Sequence, residues 1–422
     1  MLTRIEAFHY RCFDHLDISL RHFHVLAGAN GSGKSTLLDL PLLLGDLLKH
    51  GLTAAFLEVP RIAGKSRTHG FQELIHQGKG NYFGFAVEAE LPEHLRRQFL
   101  EGATGAVARD ENRQFSKLRY ELRLELFNHQ LQVSGEYLWL MANKVAQTKE
   151  NWGIGGQRSK PYWKSLIERE AGREAVFKED LNSRGKTEIN LPPDELALNN
   201  IPRDLQKYAA PIWMRDLLEK GTISYEPSWD KLRTASPPGQ GSVLKSDASN
   251  LPWLLLNLKN HDLDRYTAWE DHVKTALPNI NSIDVVERAD DHYAYLKVTY
   301  TGGYEVTSSG LSYGTLHILA LTVLPYLLNP PAMICIEELE NGIYPKAIES
   351  VLQSLSSLYD SQILISTHSP IVLAHVDLDA VIAMRSDQNG SVQAVPGHQH
   401  PMLEDWRGKI DLGTLFAAGI LE

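Results

Sequence analysis

The chain has 422 residues, 43% hydrophobic and 22% charged, so it can bury a large core in two or three packed units. Its formal net charge of −10 gives no overall attraction to the phosphates of DNA or RNA. The two cysteines, Cys12 and Cys335, are too few for a disulfide framework and predict reduced thiols in a cytoplasmic protein. The longest apolar run, at 316–328, is too short to cross a bilayer, which takes about 20 residues.

The first 50 residues predict strands, then a glycine-rich loop and a helix. Apolar and polar residues alternate in RIEAFHY, LDISL and HFHVLAG, as they do in strands. The loop GANGSGKS follows at 28–35, and TLLDLPLLLGDLL then has its apolar residues at helical spacing. A strand, a glycine loop and a helix in this order favour phosphate binding by the loop.

The middle of the chain predicts strands first and helices afterwards. Within 82–140, the runs YFGFAVEAEL, LRYELRLELF and LQVSGEYLWL have strand character. From 146 to 225 the pattern is charged and is interpreted as helical, as in KSLIEREAGREAVFKEDL. A loop rich in Pro, Gly and Ser is predicted at 231–250, and a helical stretch follows it.

The last third of the chain returns to alternating strands and helices. SIDVVERA, YAYLKVTY and YEVTS predict strands, the apolar run after 310 predicts a buried helix, and AMICIEE and QILIST predict buried strands on either side of a further helix. We therefore predict an α/β fold, with one nucleotide domain built from both ends of the chain. The predicted sections are an N-terminal part at 1–145, a mainly helical insertion at 146–284 and a C-terminal part at 285–422.

The loop after the third strand carries the chemistry of a phosphate site. Its glycines allow a tight turn in which backbone N–H groups face phosphate oxygens. Lys34 supplies a positive charge for the β- and γ-phosphates, and Ser35 offers a hydroxyl to Mg²⁺. The predicted nucleotide contacts of this segment are Gly28, Asn30, Gly31, Ser32, Gly33, Lys34, Ser35 and Thr36.

Two carboxylates follow the buried strand of AMICIEELENG. A strand that delivers acids to its C-terminal end fits the usual position of ligand sites in α/β sheets. One carboxylate can hold the Mg²⁺ shell and the other can orient or deprotonate an attacking water. We assign Glu337 to the metal and Glu338 to the water.

Two further segments each have a functional and a purely structural interpretation. His368, after QILIST, can donate a hydrogen bond to a γ-phosphate or can be a loop histidine without a role. In SSGLSYGTL, Ser312 and Gly314 directly precede a helix, whose free N–H groups bind anions. A turn with a helix N-cap explains the same residues equally well.

Taken together, these segments resemble the ABC-type ATPases of the RecF, Rad50, SMC and OLD group, and most of all the compact bacterial AAA-type ATPases of the AAA_21 and AAA_15 families. The matching motifs are GANGSGKST as Walker A, LSYGTL as the signature loop, ICIEE as Walker B, LENGIYP as the D-loop and STHSP as the H-loop. In the opening strand pair, Arg11 matches the arginine that approaches the nucleotide in that group.

The resemblance implies a dimer, or a higher oligomer, in which two heads enclose two ATP molecules with Mg²⁺. Ser312 and Gly314 of one head would then contact the γ-phosphate held by Lys34 of the other. Glu338 would polarise the attacking water, and His368 would sense the γ-phosphate.

The chain departs from the family pattern at several positions. Glu337 stands where Walker B usually has Asp, Tyr313 replaces a signature glycine, and Tyr344 stands where the D-loop commonly has His. OLD proteins carry a Toprim nuclease after the H-loop, and no such acidic motif follows His368, so we expect an effector on a separate chain. The Q-loop glutamine is open among Gln72, Gln77 and Gln132.

The favoured hypothesis is an ATPase whose head dimerisation controls a nuclease or toxin in bacterial anti-phage defence or DNA maintenance. The alternative is a RecF-like, ATP-gated DNA clamp in repair. A transporter ATPase is a weaker third hypothesis, because the strand blocks and the THSP ending resemble the DNA-repair branch. Cations that could contact DNA lie in the predicted insertion, but the glutamates interleaved with them favour a solvated helix face. Those cations are Arg158, Lys160, Lys164 and Arg169.

Overall fold

The chain folds into two units that each combine segments distant in sequence. The first unit is made of 1–20, 39–221 and 386–394, and the second of 21–38, 222–385 and 395–422. The predicted insertion at 146–284 is therefore divided between the two units. The computed structural model describes residues 1–60, 65–102, 109–146, 153–155, 162–182, 184–403 and 410–420.

Within its described residues, the first unit contains an eight-stranded sheet with the strand order β2-β1-β4-β5-β6-β7-β8-β9. Its neighbouring strands pair antiparallel in the described residues. Its strands are β1 Leu2–Tyr10, β2 Phe13–Ser19, β4 Tyr82–Glu90, β5 Phe115–Phe127, β6 Gln130–Ala142, β7 Trp163–Glu170, β8 Ala175–Lys178 and β9 Lys186–Ile189.

The helical interpretation of 146–225 is wrong for the last three strands of this sheet. Ile167 of β7 lies opposite Leu138 of β6 and Phe177 of β8, so tertiary pairing fixes the segment as strand. Next to these apolar residues, the partly exposed Lys178 and Glu168 form a 2.8 Å ion pair across β7 and β8. The spacing of charged and apolar residues in this segment resembles that of a helix. Pairing with neighbouring strands nevertheless makes the segment extended. The interpretation holds for the helix Ala209–Lys220.

Most of a six-stranded sheet, with the order β10-β14-β15-β3-β16-β17 in the described part of the chain, belongs to the second unit. Its central strands pair in parallel and are buried along their length, as continuous apolar runs in parallel sheets are. A smaller antiparallel sheet is made of β11, β12 and β13. The strands are β3 Phe23–Ala27, β10 Thr222–Ser224, β11 Ile280–Glu287, β12 Ala294–Tyr300, β13 Glu305–Thr307, β14 Met333–Ile336, β15 Gln362–Thr367, β16 Val381–Ser386 and β17 Val392–Pro396.

The apolar run predicted as a buried helix forms α9, whose side chains are buried almost all round. The α-helix ends at Thr322, shortly before Pro325, which cannot continue it. In the residues that the structure describes, no helix is both long and apolar enough to cross a membrane. The helices are α1 Lys34–His50, α2 Leu52–Leu57, α3 Glu93–Glu101, α4 Asn143–Ala146, α5 Ala209–Lys220, α6 Trp229–Arg233, α7 Leu251–His261, α8 Leu263–Ala276, α9 Tyr313–Thr322, α10 Pro345–Ser356, α11 Pro370–Ala374 and α12 Leu412–Ala417.

Candidate functional site

Three parallel strands of the second unit end at one edge of its large sheet. Strand β15 lies between β3 and β14, and the pairs Thr367–Ala27 and Ile365–Ile336 set the register. The loop after β3, the residues after β14 and the residue after β15 therefore leave the sheet side by side. Because neighbouring strands lie about 4.8 Å apart, the ends of β3 and β14, on either side of β15, are separated by about 10 Å. This edge gathers the predicted loop, carboxylates and histidine of the chain.

The phosphate loop is held close to the neighbouring strand. A side chain at Gly28 would collide with the carbonyl oxygen of Met384, so only glycine fits at the start of the loop. The ammonium of Lys34 is buried and donates to the carbonyl oxygens of Gly28 at 2.7 Å and Ala29 at 2.8 Å. These bonds fold the lysine over its own loop at the start of α1. A cation and the first N–H groups of a long helix meet there, which is the chemistry of an anion site.

Hydroxyl groups of the same loop fit a phosphate and its metal. Ser32 is buried, and its Oγ has no hydrogen-bond partner in the described structure, so an oxygen of a bound phosphate would satisfy it. Ser35, in the first turn of α1, is half-buried, with Thr36 beside it. Among the described residues, no group of three His, Cys, Asp or Glu side chains is arranged to hold a metal. A Mg²⁺ bound through Ser35 and Glu337 would therefore take its other ligands from phosphate and water, as Mg²⁺ usually does.

The two carboxylates after β14 are exposed, and one of them lies on unfavourable backbone. Glu337 is exposed, and Glu338 has a φ of 46°, an unfavourable value for a residue other than glycine. The N–H of Glu338 donates to Ser366 Oγ at 3.2 Å, which ties β14 to β15 beyond their last pair. The Oε1 atom of Glu338 lies 3.9 Å from Nε2 of His368. The structure thus brings the predicted water-activating carboxylate and the predicted γ-phosphate sensor together.

A third carboxylate of this edge, Glu340, was not predicted from the sequence. Its Oε1 accepts hydrogen bonds from Thr367 Oγ1 and from the N–H of His368, both at 2.9 Å. Its Oε2 is buried without a partner among the described residues. Glu340 therefore fixes the backbone from which the His368 side chain projects. In the sequence, Glu340 is marked only by its place in the ELEN segment after a buried strand. The residues that it contacts lie 27 and 28 positions away along the chain.

The signature segment forms a capped helix start. Ser312 is the N-cap of α9, and its Oγ accepts from the N–H of Thr315 at 3.1 Å. The same Oγ lies 2.8 Å from Thr315 Oγ1, and Ser312 is exposed. The N-cap interpretation is confirmed. An exposed N-cap hydroxyl on a long helix also remains available to an incoming anion, so the two interpretations are compatible.

The D-loop packs directly on the signature segment. A Cβ atom at Gly314 would lie 2.8 Å from the carbonyl oxygen of Gly342. Gly342 has a φ of 75°, and a side chain there would collide with the ring of Tyr313. That ring also contacts the ring of His317, with centroids 4.3 Å apart and the planes tilted by 34°. Tyr313, which departs from the family pattern, therefore fills a structural role between the signature helix and the D-loop.

Arg11 lies in the first unit, whereas the other predicted site residues lie in the second. It occupies the turn between β1 and β2 at a φ of 51°. Its guanidinium donates to the carbonyl oxygen of Arg67, and its N–H donates to Leu74 O at 2.8 Å. Its assignment to the nucleotide stays a prediction. The predicted residues of the second unit are Gly28, Asn30, Gly31, Ser32, Gly33, Lys34, Ser35, Thr36, Ser312, Gly314, Glu337, Glu338 and His368.

The cations suggested for DNA contact do not form an exposed group in the described residues. Arg169 is buried and donates to the carbonyl oxygens of Pro192, at 2.6 Å, and Glu195. Lys164 is half-buried and donates to the carbonyl oxygens of Glu179, at 3.0 Å, and Asp180. Both side chains hold loops of the first unit. Arg158 and Lys160 lie outside the described residues.

A family model with the description "AAA domain, putative AbiEii toxin, Type IV TA system" matches residues 162–374, slightly more than half of the chain. The chain belongs to this AAA family. The match includes the signature segment, the carboxylates after β14 and His368, and it begins after the phosphate loop. No curated protein sequence matches the AAA-family chain.

Solved structures of SMC head domains resemble this AAA-family protein over nearly its whole length. One is the SMC head bound to the C-winged helix domain of ScpA, with a TM-score of 0.50 and 12% identity, covering 93% of this chain and 96% of that chain. An SMC head with an extended coiled coil, bound to the C-terminal domain of ScpA from Pyrococcus furiosus, has a TM-score of 0.46 and 11% identity and covers 100% and 98%. The head domain from Thermotoga maritima has a TM-score of 0.42 and 12% identity and covers 94% and 98%. The first likeness confirms the predicted α/β class and the ABC-type P-loop ATPase head fold.

Proposed function

We propose that this AAA-family protein is an ATPase that binds and hydrolyses Mg²⁺·ATP between two copies of its head. The convergence of three strand ends carries this proposal. The phosphate loop, Glu338 and His368 leave one sheet edge in register, and Glu338 Oε1 and His368 Nε2 lie 3.9 Å apart. A buried ammonium, an unsatisfied hydroxyl and two exposed carboxylates at such an edge favour phosphoryl transfer to water.

Each group has a defined task in this reaction. Lys34 and the N-terminal N–H groups of α1 bind the phosphate oxygens and offset their charge. Glu338 accepts a proton from the water whose oxygen attacks the γ-phosphorus, while the bond from phosphorus to the ADP oxygen breaks. His368 donates to a γ-phosphate oxygen. Ser35 and Glu337 would hold Mg²⁺, which supplies additional positive charge to the phosphates when it is bound.

Ser312 and Gly314 complete the site of a second copy in this proposal. Ser312 is exposed, and its helix N-terminus presents N–H groups to a ligand. In the ABC-type group that the chain resembles, this segment contacts the γ-phosphate bound by the opposite head. Binding of two ATP molecules would then join the heads, and hydrolysis would release them.

We further propose that head closure controls a separate effector, a nuclease or a toxin, in anti-phage defence or DNA maintenance. The family description names a toxin and a toxin–antitoxin system, which supports an effector partner. The SMC head of similar fold binds the winged-helix domain of ScpA, so a head of this kind can carry a second protein. Co-purification of the chain with the product of a neighbouring effector gene, dependent on ATP, is the expected result.

The catalytic part is tested by measuring nucleotide binding and phosphate release on purified variants. Glu338→Gln should bind ATP but release phosphate about 10²–10⁴-fold more slowly, because the proton acceptor is lost. Lys34→Ala should lose ATP binding as well. Glu349→Gln, the same change on an exposed face of α10, serves as the matched control and should leave the rate unchanged. Wild-type protein that binds no ATP, or a Glu338→Gln variant as fast as the wild type, contradicts the proposal.

A further inference from the structure

The residue that holds the carboxylate of Glu338 lies three positions further along the chain. The amide Nδ2 of Asn341 donates to Glu338 Oε2 at 2.7 Å. The backbone N–H of Asn341 also donates to the carbonyl oxygen of Glu338 at 2.9 Å, closing a tight turn. The two residues are therefore joined by one side-chain bond and one independent backbone bond.

The two carboxylate oxygens of Glu338 therefore have different neighbours. Oε2 is occupied by Asn341, whereas Oε1 lies 3.9 Å from His368 Nε2, which is beyond hydrogen-bond distance. Oε1 is thus the oxygen directed into the space next to His368. A water that donates to Oε1 would lie beside the group expected to contact the γ-phosphate.

Resting on the function proposed above, we propose that Asn341 is a positioning residue for ATP hydrolysis: its amide anchors Glu338 Oε2 so that Oε1 accepts the proton of the attacking water. Glu338 needs such an anchor because its side chain is about half exposed and has three rotatable bonds. Within the described residues, Asn341 is the hydrogen-bond donor to Oε2 of that carboxylate. Fixing a proton acceptor within a fraction of an ångström matters more for rate than for stability.

A structural role for Asn341 predicts different behaviour. The bond between Asn341 N–H and Glu338 O belongs to the backbone, so it survives replacement of the side chain. The side-chain bond is exposed, and such bonds contribute little to the stability of a fold. Replacement of Asn341 should therefore change the chemical step and leave unfolding almost unaltered.

The test combines Asn341→Ala with Glu338→Gln in the full chain. Asn341→Ala should lower kcat about 10–100-fold with KM for ATP and nucleotide affinity within about twofold of the wild type, because only the orientation of the base is lost. In the Glu338→Gln background, adding Asn341→Ala should slow single-turnover hydrolysis by no more than about twofold, since the group that it positions is already gone. Asn260→Ala, an exposed asparagine of α7, is the matched control.

Two results would overturn the inference: a kcat of Asn341→Ala within twofold of the wild type, or an equal further loss in the Glu338→Gln background. Asn341→Asp keeps the size and the turn preference but replaces the donor, so it should be at least as slow, and it stands in if the alanine variant does not fold. Wild-type protein without ATP turnover would contradict the proposed function itself. Normal wild-type turnover with an unimpaired Asn341→Ala variant contradicts only the positioning role.

Discussion

The two units use the same residue type, glutamate, in opposite ways. In the first unit, Glu6, Glu88 and Glu121 are buried in the middle of the antiparallel sheet around the fully buried Arg119. Arg119 forms ion pairs with these carboxylates at 2.6–3.0 Å. In the second unit, Glu337 and Glu338 are exposed where a parallel strand ends, and Glu338 lies on unfavourable backbone.

This difference shows that the role of a glutamate depends on its ion-pair partners and on its backbone conformation, and not on the residue type alone. Burial alone disfavours the charge of Arg119, but its bond to Glu6 and the charges of Glu6, Glu121 and Glu88 outweigh burial and raise the pKa of Arg119. Such a group is fully committed to its neighbours and serves the fold. Glu338 keeps one carboxylate oxygen directed outward at the cost of backbone strain, which is typical of a functional position.

The largest expected effect is loss of the ion network in the first unit. Arg119→Met should lower the free energy of unfolding by about 3–5 kcal/mol, because Glu121 loses its ion pair and the buried Glu6 and Glu88 are left, among the described residues, with Arg4 alone. Urea denaturation followed by circular dichroism measures this change. Arg97→Met removes an exposed pair with Glu93 and should cost less than about 1 kcal/mol. Equal losses in the two variants would remove the distinction between the buried and exposed charges.

The second unit should show acid sensitivity through a buried histidine rather than through an ion pair. On β3, His24 accepts from the N–H of Arg21 at 2.8 Å and lies 3.2 Å from Ala380 O, and burial lowers its pKa to about 4. The unfolded chain protonates near pH 6.5, so the stability from this group is present above that pH and falls as the pH drops toward 4.

Between pH 7.5 and pH 5, His24 should contribute a loss of about 2 kcal/mol in unfolding free energy. Denaturation curves at several pH values should show a shallower acid decline for His24→Gln than for the wild type. His94→Gln, an exposed histidine of α3, provides the control and should retain the wild-type slope. An unchanged slope in His24→Gln would show that this histidine is not the group that titrates.

Glu340 shares features with both groups of carboxylates. It is hydrogen-bonded, as the buried carboxylates of the first unit are, but it lies at the candidate site. Glu340→Ala would leave Thr367 Oγ1 and the N–H of His368 without their acceptor. We expect a loss of about 1–2 kcal/mol in unfolding free energy together with slower phosphate release, because His368 is no longer fixed. The two measurements are made on the same preparation, and a loss of stability with full activity would assign Glu340 to the fold alone.

The smallest expected effect is a gain in stability from removing strain. Glu338→Gly should raise the free energy of unfolding by about 0.5–1 kcal/mol, because glycine adopts a φ of 46° without strain. It should abolish hydrolysis at the same time. Glu337→Gly, at a neighbouring exposed position outside the positive-φ region, should bring no gain. A destabilised Glu338→Gly variant would mean that the backbone at Glu338 is not strained.

The sequence predicted the buried strands that precede the candidate site residues, but it misassigned three strands of the first unit. Lys34, Glu338 and His368 follow buried strands within short motifs, so local pattern was enough to find them. The strands β7 to β9 were interpreted as helix, because Ile167 is fixed by partners on β6 and β8 that a local period does not reveal. The contacts of Glu340 with Thr367 and His368 likewise join residues far apart in sequence.

The departure at Tyr313 could be seen in the sequence but not explained by it. Only the structure shows that its ring covers Gly342, where any side chain would collide with it. Arg11 was taken from the resemblance, and its observed partners, Arg67 and Leu74, lie within its own unit. Local motifs thus predict candidate phosphate-binding groups, whereas the residues that hold these groups in place depend on tertiary contacts.

The central claim, a site completed by a second copy, is tested most directly by mixing two inactive variants. Lys34→Ala removes the phosphate lysine, and Ser312→Asp keeps a good N-cap but places a negative charge where the γ-phosphate of the partner should lie. Each variant alone should hydrolyse almost no ATP. In a mixed dimer, one site has an intact loop from one copy and an intact signature from the other, so an equimolar mixture should recover up to about a quarter of the wild-type rate. A mixture as inactive as its two components would contradict the account.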